Sequence, residues 1–165
     1  MNEIELLADY RDGKPVYEAI PARALGDGTF EILSSPGFAP GFARGDIVRK
    51  NPQERLGYTV EKRGGNVCVQ AFFRAYSQEE YIKIARIVES NRGVIEGGKD
   101  GRSGNLLIFA FHVSAGFSKI ENTMEEITKL FLLDKWIYGN VYDTKDGKTP
   151  LNWWKELNAD TPRIS

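Results

Sequence analysis

The chain has 165 residues, 41% of them hydrophobic and 27% charged, with a formal net charge of −1. That is enough apolar material for one domain or two small ones without a metal or disulfide staple, and it excludes a disordered chain. A charge near zero gives no general pull toward nucleic acid or anionic membrane, and a single cysteine excludes an intrachain disulfide. The opening MNEIELLADY has neither a basic leader nor an apolar signal core. No apolar run approaches the roughly 20 residues that span a membrane, so a cytoplasmic protein is expected.

Residues 4–8 suit a first strand, and Asp12-Gly13 marks a turn into PVYEAIPARAL. That run reads as a strand, which requires its internal Pro21 to lie at an edge, an end or a bulge. Asp27-Gly28 separates RAL from TFEIL, a hairpin signal because these residues tolerate the positive φ of tight turns. The stretch SSPGFAPGFARGD, residues 34–46, shifts to glycine, proline and isolated aromatics. Phe38 and Phe42, four apart, predict a short helical turn that drops both rings onto a core. Extended runs at 47–50 and 58–63 complete a small sheet or partial barrel ending near Gly64.

The following NVCVQAFF alternates, with Val67, Val69, Ala71 and Phe73 on one face and Cys68, Gln70 and Phe72 on the other. Ser77 and Glu80 form the pattern of a capping box at the start of a helix over 77–91, whose stripe is Tyr81, Ile84, Ala85 and Val88. GVIEGG reads as a strand, KDGRSG as an exposed turn and 106–113 as a central strand. A second helix over 118–132 buries Ile120, Met124, Ile127, Leu130 and Phe131, and 136–142 is a final strand. This β-α-β-β-α-β order is ferredoxin-like, and right-handed crossovers put both helices on one sheet face. The predicted class is α+β, with a β-rich unit at 1–64, a ferredoxin-like unit at 65–143, and a tail at 144–165 packed by Trp153 and Trp154.

Strand parity defines a candidate surface. With helices over Val67, Val69, Ala71, Phe73, Leu107, Phe109, Phe111, Ile137 and Val141, the opposite face carries Cys68, Gln70, Phe72, Ile108, Ala110, His112, Trp136, Tyr138 and Tyr142. Either the N-terminal strands cover that face as a second core, or it is an aromatic surface for a partner. The partner-binding candidates are Gln70, Phe72, Lys99, Arg102, Glu121, Glu125, Trp136, Tyr138 and Tyr142. Glu121 and Glu125 share a helix face and read as solvent-side acids. Cys68 and His112, the sole cysteine and sole histidine, form an alternative nucleophile–base pair. Zinc would lack ligands, and no metal or cofactor is expected. GGKDGRSG joins two strands and lacks the end of a phosphate-binding P-loop, so it reads as a hairpin loop. The basic-aromatic signatures of RNA-recognition domains are absent, which disfavours nucleic acid.

The segments ARALGDGTFEILSSPGFAPGFARGDIV, VEKRGGNVCVQAF and LLIFAFHVSAGFSKIENTMEEI, with WIYG, resemble a bacterial family known as domain of unknown function 4265. The resemblance spans roughly residues 16–142 and is carried by Gly26 to Gly28, Phe38, Gly45-Asp46 and Gly64. It implies a fold and no particular chemistry. Small members of such bacterial families include immunity proteins, so the expected function is non-enzymatic occlusion of another protein, a toxin effector being the candidate partner. A hydrolase or transferase using Cys68 and His112, and a small-ligand sensor with a pocket between the two units, are the alternatives.

Overall fold

The computed structural model describes residues 2–99, 105–157 and 162. Its first five strands, β1 (Asn2–Arg11), β2 (Lys14–Ala24), β3 (Thr29–Ile32), β4 (Ile47–Lys50) and β5 (Tyr58–Lys62), form an antiparallel meander in chain order. Ile4, Leu6, Ile20, Ala22, Ile32 and Val48 alternate inward with Phe42 into one core, and Leu56, Tyr58 and Val60 pack on it from the far end. Pro21 lies within β2 opposite Glu3, where β3 is already ending. Its carbonyl accepts from the Leu33 amide just beyond β3, so its missing N–H breaks no ladder bond of β3.

The second unit runs β6 (Asn66–Phe73), α1 (Gln78–Ser90), β7 (Gly93–Lys99), β8 (Asn105–His112), α2 (Phe117–Leu130) and β9 (Leu133–Tyr138). Its sheet order is β7-β8-β6-β9, every pair antiparallel, which is the ferredoxin-like arrangement. The capping box of α1 is present: Ser77 Oγ accepts from the Glu80 amide at 3.1 Å and Glu80 Oε1 accepts from the Ser77 amide at 3.0 Å. Ile84 and Val88 of α1 and Phe117, Ile120, Met124 and Ile127 of α2 bury against Val67, Val69, Phe73, Phe109 and Phe111. Each such side chain contributes about 1.5–3 kcal/mol of burial. Leu130 departs from its expected place in this stripe and is exposed, because α2 stops there and the chain turns into β9.

Two further expectations are corrected. Residues 34–46 form no helical turn; Phe42 is buried, while Phe38 is 48% exposed. Gly41 takes φ +95°, outside the helical region, and its amide goes to the Gly139 carbonyl at 2.8 Å, while the Glu18 carboxylate holds the preceding stretch by accepting the amides of Gly37, Phe38 and Ala39 at 2.8, 2.9 and 2.9 Å. The last strand begins three residues early, at Leu133 instead of 136, and its pairing sets Trp136 opposite Ala71 and Tyr138 opposite Val69. Trp136 and Tyr138 therefore lie on the helix-covered face, and Ile137, expected there, points from the other face and is 47% exposed.

The open face of the second sheet is closed by the segment between β3 and β4. Ala43 packs with Cys68, Leu106 and Ile108, the Pro36 carbonyl accepts from Gln70 Nε2 at 3.4 Å, and the Asn66 amide group donates to the Arg44 carbonyl at 2.9 Å. At the centre of this junction sits Asp46, fully buried. It accepts from the amides of Ala43 and Gly64 at 3.0 Å each and pairs with Arg63 at 3.1 Å. Burial holds its carboxyl above the usual carboxylate range, against the pull of Arg63 and the two amides. Arg63 also donates to the Gly41 carbonyl at 2.8 Å and lies over the Trp153 ring. Trp154 is fully buried against Phe117, so the tail is docked through both tryptophans.

Candidate functional site

Tyr138 ends β9 with its ring edge-on to Phe117 at 5.7 Å and to Trp136 at 5.1 Å. Its hydroxyl donates to Glu121 Oε2 at 2.8 Å. Glu121 is therefore buried, not solvent-side, and only Glu125 of the two acids is exposed, 3.5 Å from Lys129 one turn on. Tyr142 stacks obliquely on Tyr138 at 6.2 Å, and burial together with Glu121 raises its phenol pKa. Trp136, Tyr138 and Tyr142 thus share the wall of a cleft of about 320 Å³, completed by Pro40, Ile137, Gly139, Asp143, Thr144 and Gly147. With Tyr138 bonded and the rings interlocked, this aromatic surface is held in place ahead of any ligand.

The rim of the cleft is the loop after Val141. The Asp143 amide donates to the Thr149 carbonyl at 2.8 Å, and Asp146 accepts from the amides of Lys148 and Thr149 and from the Thr149 hydroxyl at 2.8, 3.0 and 2.5 Å. These bonds, the Thr149 hydroxyl first, draw the Asp146 carboxyl from 3.8 to about 2. A carboxyl lowered on folding adds stability that is complete above its ordinary value and is lost as pH falls through its folded one. The Thr149 amide resonance is therefore expected to hold its shift down to about pH 3 and to titrate with a midpoint at about pH 2; Asp146→Ala should shift that amide already at neutral pH.

The remaining expected site residues do not gather. Gln70 is buried under Pro36, and Phe72 is half-buried with the Lys135 ammonium 5.0 Å above its ring. Lys99 ends β7, while Arg102 and the expected turn around it lie outside the described residues. Cys68 and His112 sit on the same sheet face, but Cys68 pairs with Ala110 and His112 with Asn66, two rungs apart. His112 is exposed, with Nδ1 2.8 Å from Ser114 Oγ. Cys68 is fully buried beneath Pro36, where burial, with Glu96 nearby, pushes its thiol far above the ordinary range. Burial disfavours the thiolate that the nucleophile reading needs. Native protein is expected to resist iodoacetamide and to alkylate stoichiometrically in denaturant, read by intact mass.

Pro40, Ile137, Asp143 and Thr144 escape sequence reasoning because the cleft brings together segments about 100 residues apart. The Asx-rich DTKDGKT was the available signal for the rim. A second cleft, about 270 Å³, lies where Phe42, Leu56 and Arg63 meet Thr144 and Leu151. Among the described residues no cluster of three histidine, cysteine or acidic side chains could hold a metal, and no helix is long and apolar enough to cross a membrane.

A family described as Domain of unknown function (DUF4265) matches residues 18–132. The chain belongs to this bacterial family. The DUF4265 match takes in the junction and, of the cleft lining, Pro40, but ends just before β9 and so leaves out Trp136 and the rest of the lining. The fold is similar to a novel crystal structure of a hypothetical protein from Neisseria gonorrhoeae, with a TM-score of 0.59 and 16% identity over 84% of this chain and 93% of that one. None of the curated proteins matches the chain.

Proposed function

We propose that this DUF4265 protein is a non-enzymatic recognition protein of the bacterial cytoplasm, which occludes another protein stoichiometrically in the manner of an immunity protein on a toxin effector. The observation behind this reading is the cleft in which Trp136, Tyr138 and Tyr142 converge beside the exposed Ile137. Rigid aromatic side chains at the centre of a surface contribute large contact area at small entropic cost, and such residues dominate binding energies. No cofactor enters this mechanism, and no group in the cleft has to change its protonation.

The test is purification of the tagged protein from its native host, identification of co-purifying proteins, and reconstitution with the purified partner. A 1:1 complex is expected, weakened about 30-fold or more by Trp136→Ala or Tyr142→Ala and untouched by Cys68→Ala. Urea unfolding of each variant separates lost binding from lost folding. A complex indifferent to both aromatic substitutions overturns the assignment of the cleft. The second cleft favours one other reading, a small-ligand sensor, for which a metabolite-dependent rise in melting temperature abolished at Arg63 or Leu56 is the expected sign.

A further inference from the structure

We infer that the ligand of the aromatic cleft is an extended peptide segment of the partner, added as a fifth strand along the outer edge of β9. The inference rests on the cleft being the recognition site, and it specifies how that site is read. Strand β9 is the last strand of its sheet and pairs on one side with β6. The Gly139 amide donates to the Cys68 carbonyl at 2.8 Å, toward β6. Main-chain groups alternate in direction along a strand, so the amide and carbonyl of Trp136 turn to the outer edge. The cleft follows this edge, lined by Trp136, Ile137, Tyr138 and Gly139 in sequence. A groove whose floor is a strand edge is complementary to another extended backbone.

Two features narrow the occupant. Edge strands are commonly guarded by charges, but both charges of β9 are drawn elsewhere: Asp134 to Arg74 at 3.0 Å and Lys135 over the Phe72 ring. The edge is also walled. Pro40 arrives from the segment covering the open face, whereas Tyr142 stands on the helix side and the loop with Thr144 at one end. Those walls suit one slender chain and obstruct edge-to-edge pairing of two whole sheets, so a second copy is not the occupant. Side chains of the added strand would alternate between Trp136 on one face and Ile137 on the other.

A phage-displayed library of random 12-residue peptides is the probe, panned on the full chain and counter-panned on Trp136→Ala. Selected peptides are synthesised, then N-methylated at alternate positions in either phase. Methylation in one phase is expected to weaken binding at least about tenfold and in the other less than about twofold, because alternate amides of an added strand face β9. Amide exchange at Trp136 should slow on binding. Peptides that bind with no phase dependence overturn the strand inference while leaving recognition at the cleft intact. A library yielding nothing that requires Trp136 overturns the inference as well, and a native partner equally indifferent to Trp136 removes the cleft assignment with it. A dimer by analytical ultracentrifugation, dissociated by Ile137→Lys, would replace the peptide by a second copy and overturn the inference too.

Discussion

Asp46→Ala should be among the most damaging single substitutions in the molecule, lowering unfolding free energy by about 3–5 kcal/mol in urea titration. The carboxylate holds three partners at once: the amides of Ala43 and Gly64 and the guanidinium of Arg63. Removing it strands a largely buried cation and two amides, and losing one member of a buried pair costs more than losing both. Asp46→Asn keeps the shape and one acceptor, so it should cost less than alanine. The same change loosens the segment that covers Cys68, and native iodoacetamide labelling, which is otherwise blocked, should become measurable. Wild-type stability with an unreactive thiol in Asp46→Ala would refute the central place given to this carboxylate.

Gly64→Ala is expected to cost about 2–3 kcal/mol by a different route. A β-carbon there would lie 2.5 Å from the Gly45 carbonyl carbon, 2.6 Å from its oxygen and 2.7 Å from its α-carbon. All three are backbone atoms, and Gly45 itself has φ +89°, so neither chain yields cheaply. Gly97→Ala, where an added methyl meets nothing within 4 Å, is the control and should stay within about 0.5 kcal/mol. Equal midpoints for the two variants would mean that the two backbones separate without penalty.

The ferredoxin-like unit was legible because its signals are local. Ser77 and Glu80 announce a helix start within four residues, and the alternation of Val67 to Phe73 orients a strand without reference to anything distant. Asp27-Gly28 gave the β2–β3 hairpin for the same reason. The errors fall where a remote group decides. Phe38 and Phe42 have helical spacing, but Gly41 between them takes φ +95° and gives its amide to the remote Gly139 carbonyl, while Glu18, about 20 positions earlier, anchors the amides of residues 37–39. In β9 the aliphatic Ile137 looked like the core-facing residue, yet register with β6 turned the larger Trp136 and Tyr138 inward. The aromatic trio forms one group, as its spacing predicts, but on the helix-covered side of the sheet, because which parity faces the core is set by pairing with β6 and not by side-chain type within the strand. Glycines 45 and 64 and Asp46, which carry part of the family resemblance, prove to be a single point of contact.

That contact sets the molecule's modularity. A boundary near Gly64 looks in the sequence like a place to cut or to splice in another domain. A fragment starting there would present Cys68, Leu106 and Ile108 to water without Ala43 and Pro36, and the first half would keep the Asp46–Arg63 pair but lose the Trp153 ring beneath that guanidinium and the Asn66 side chain that holds the Arg44 carbonyl. Neither half is a portable part. Insertions and fusions belong instead at the solvent-facing Asp12-Gly13 turn, which can lengthen without pulling the two sheets apart.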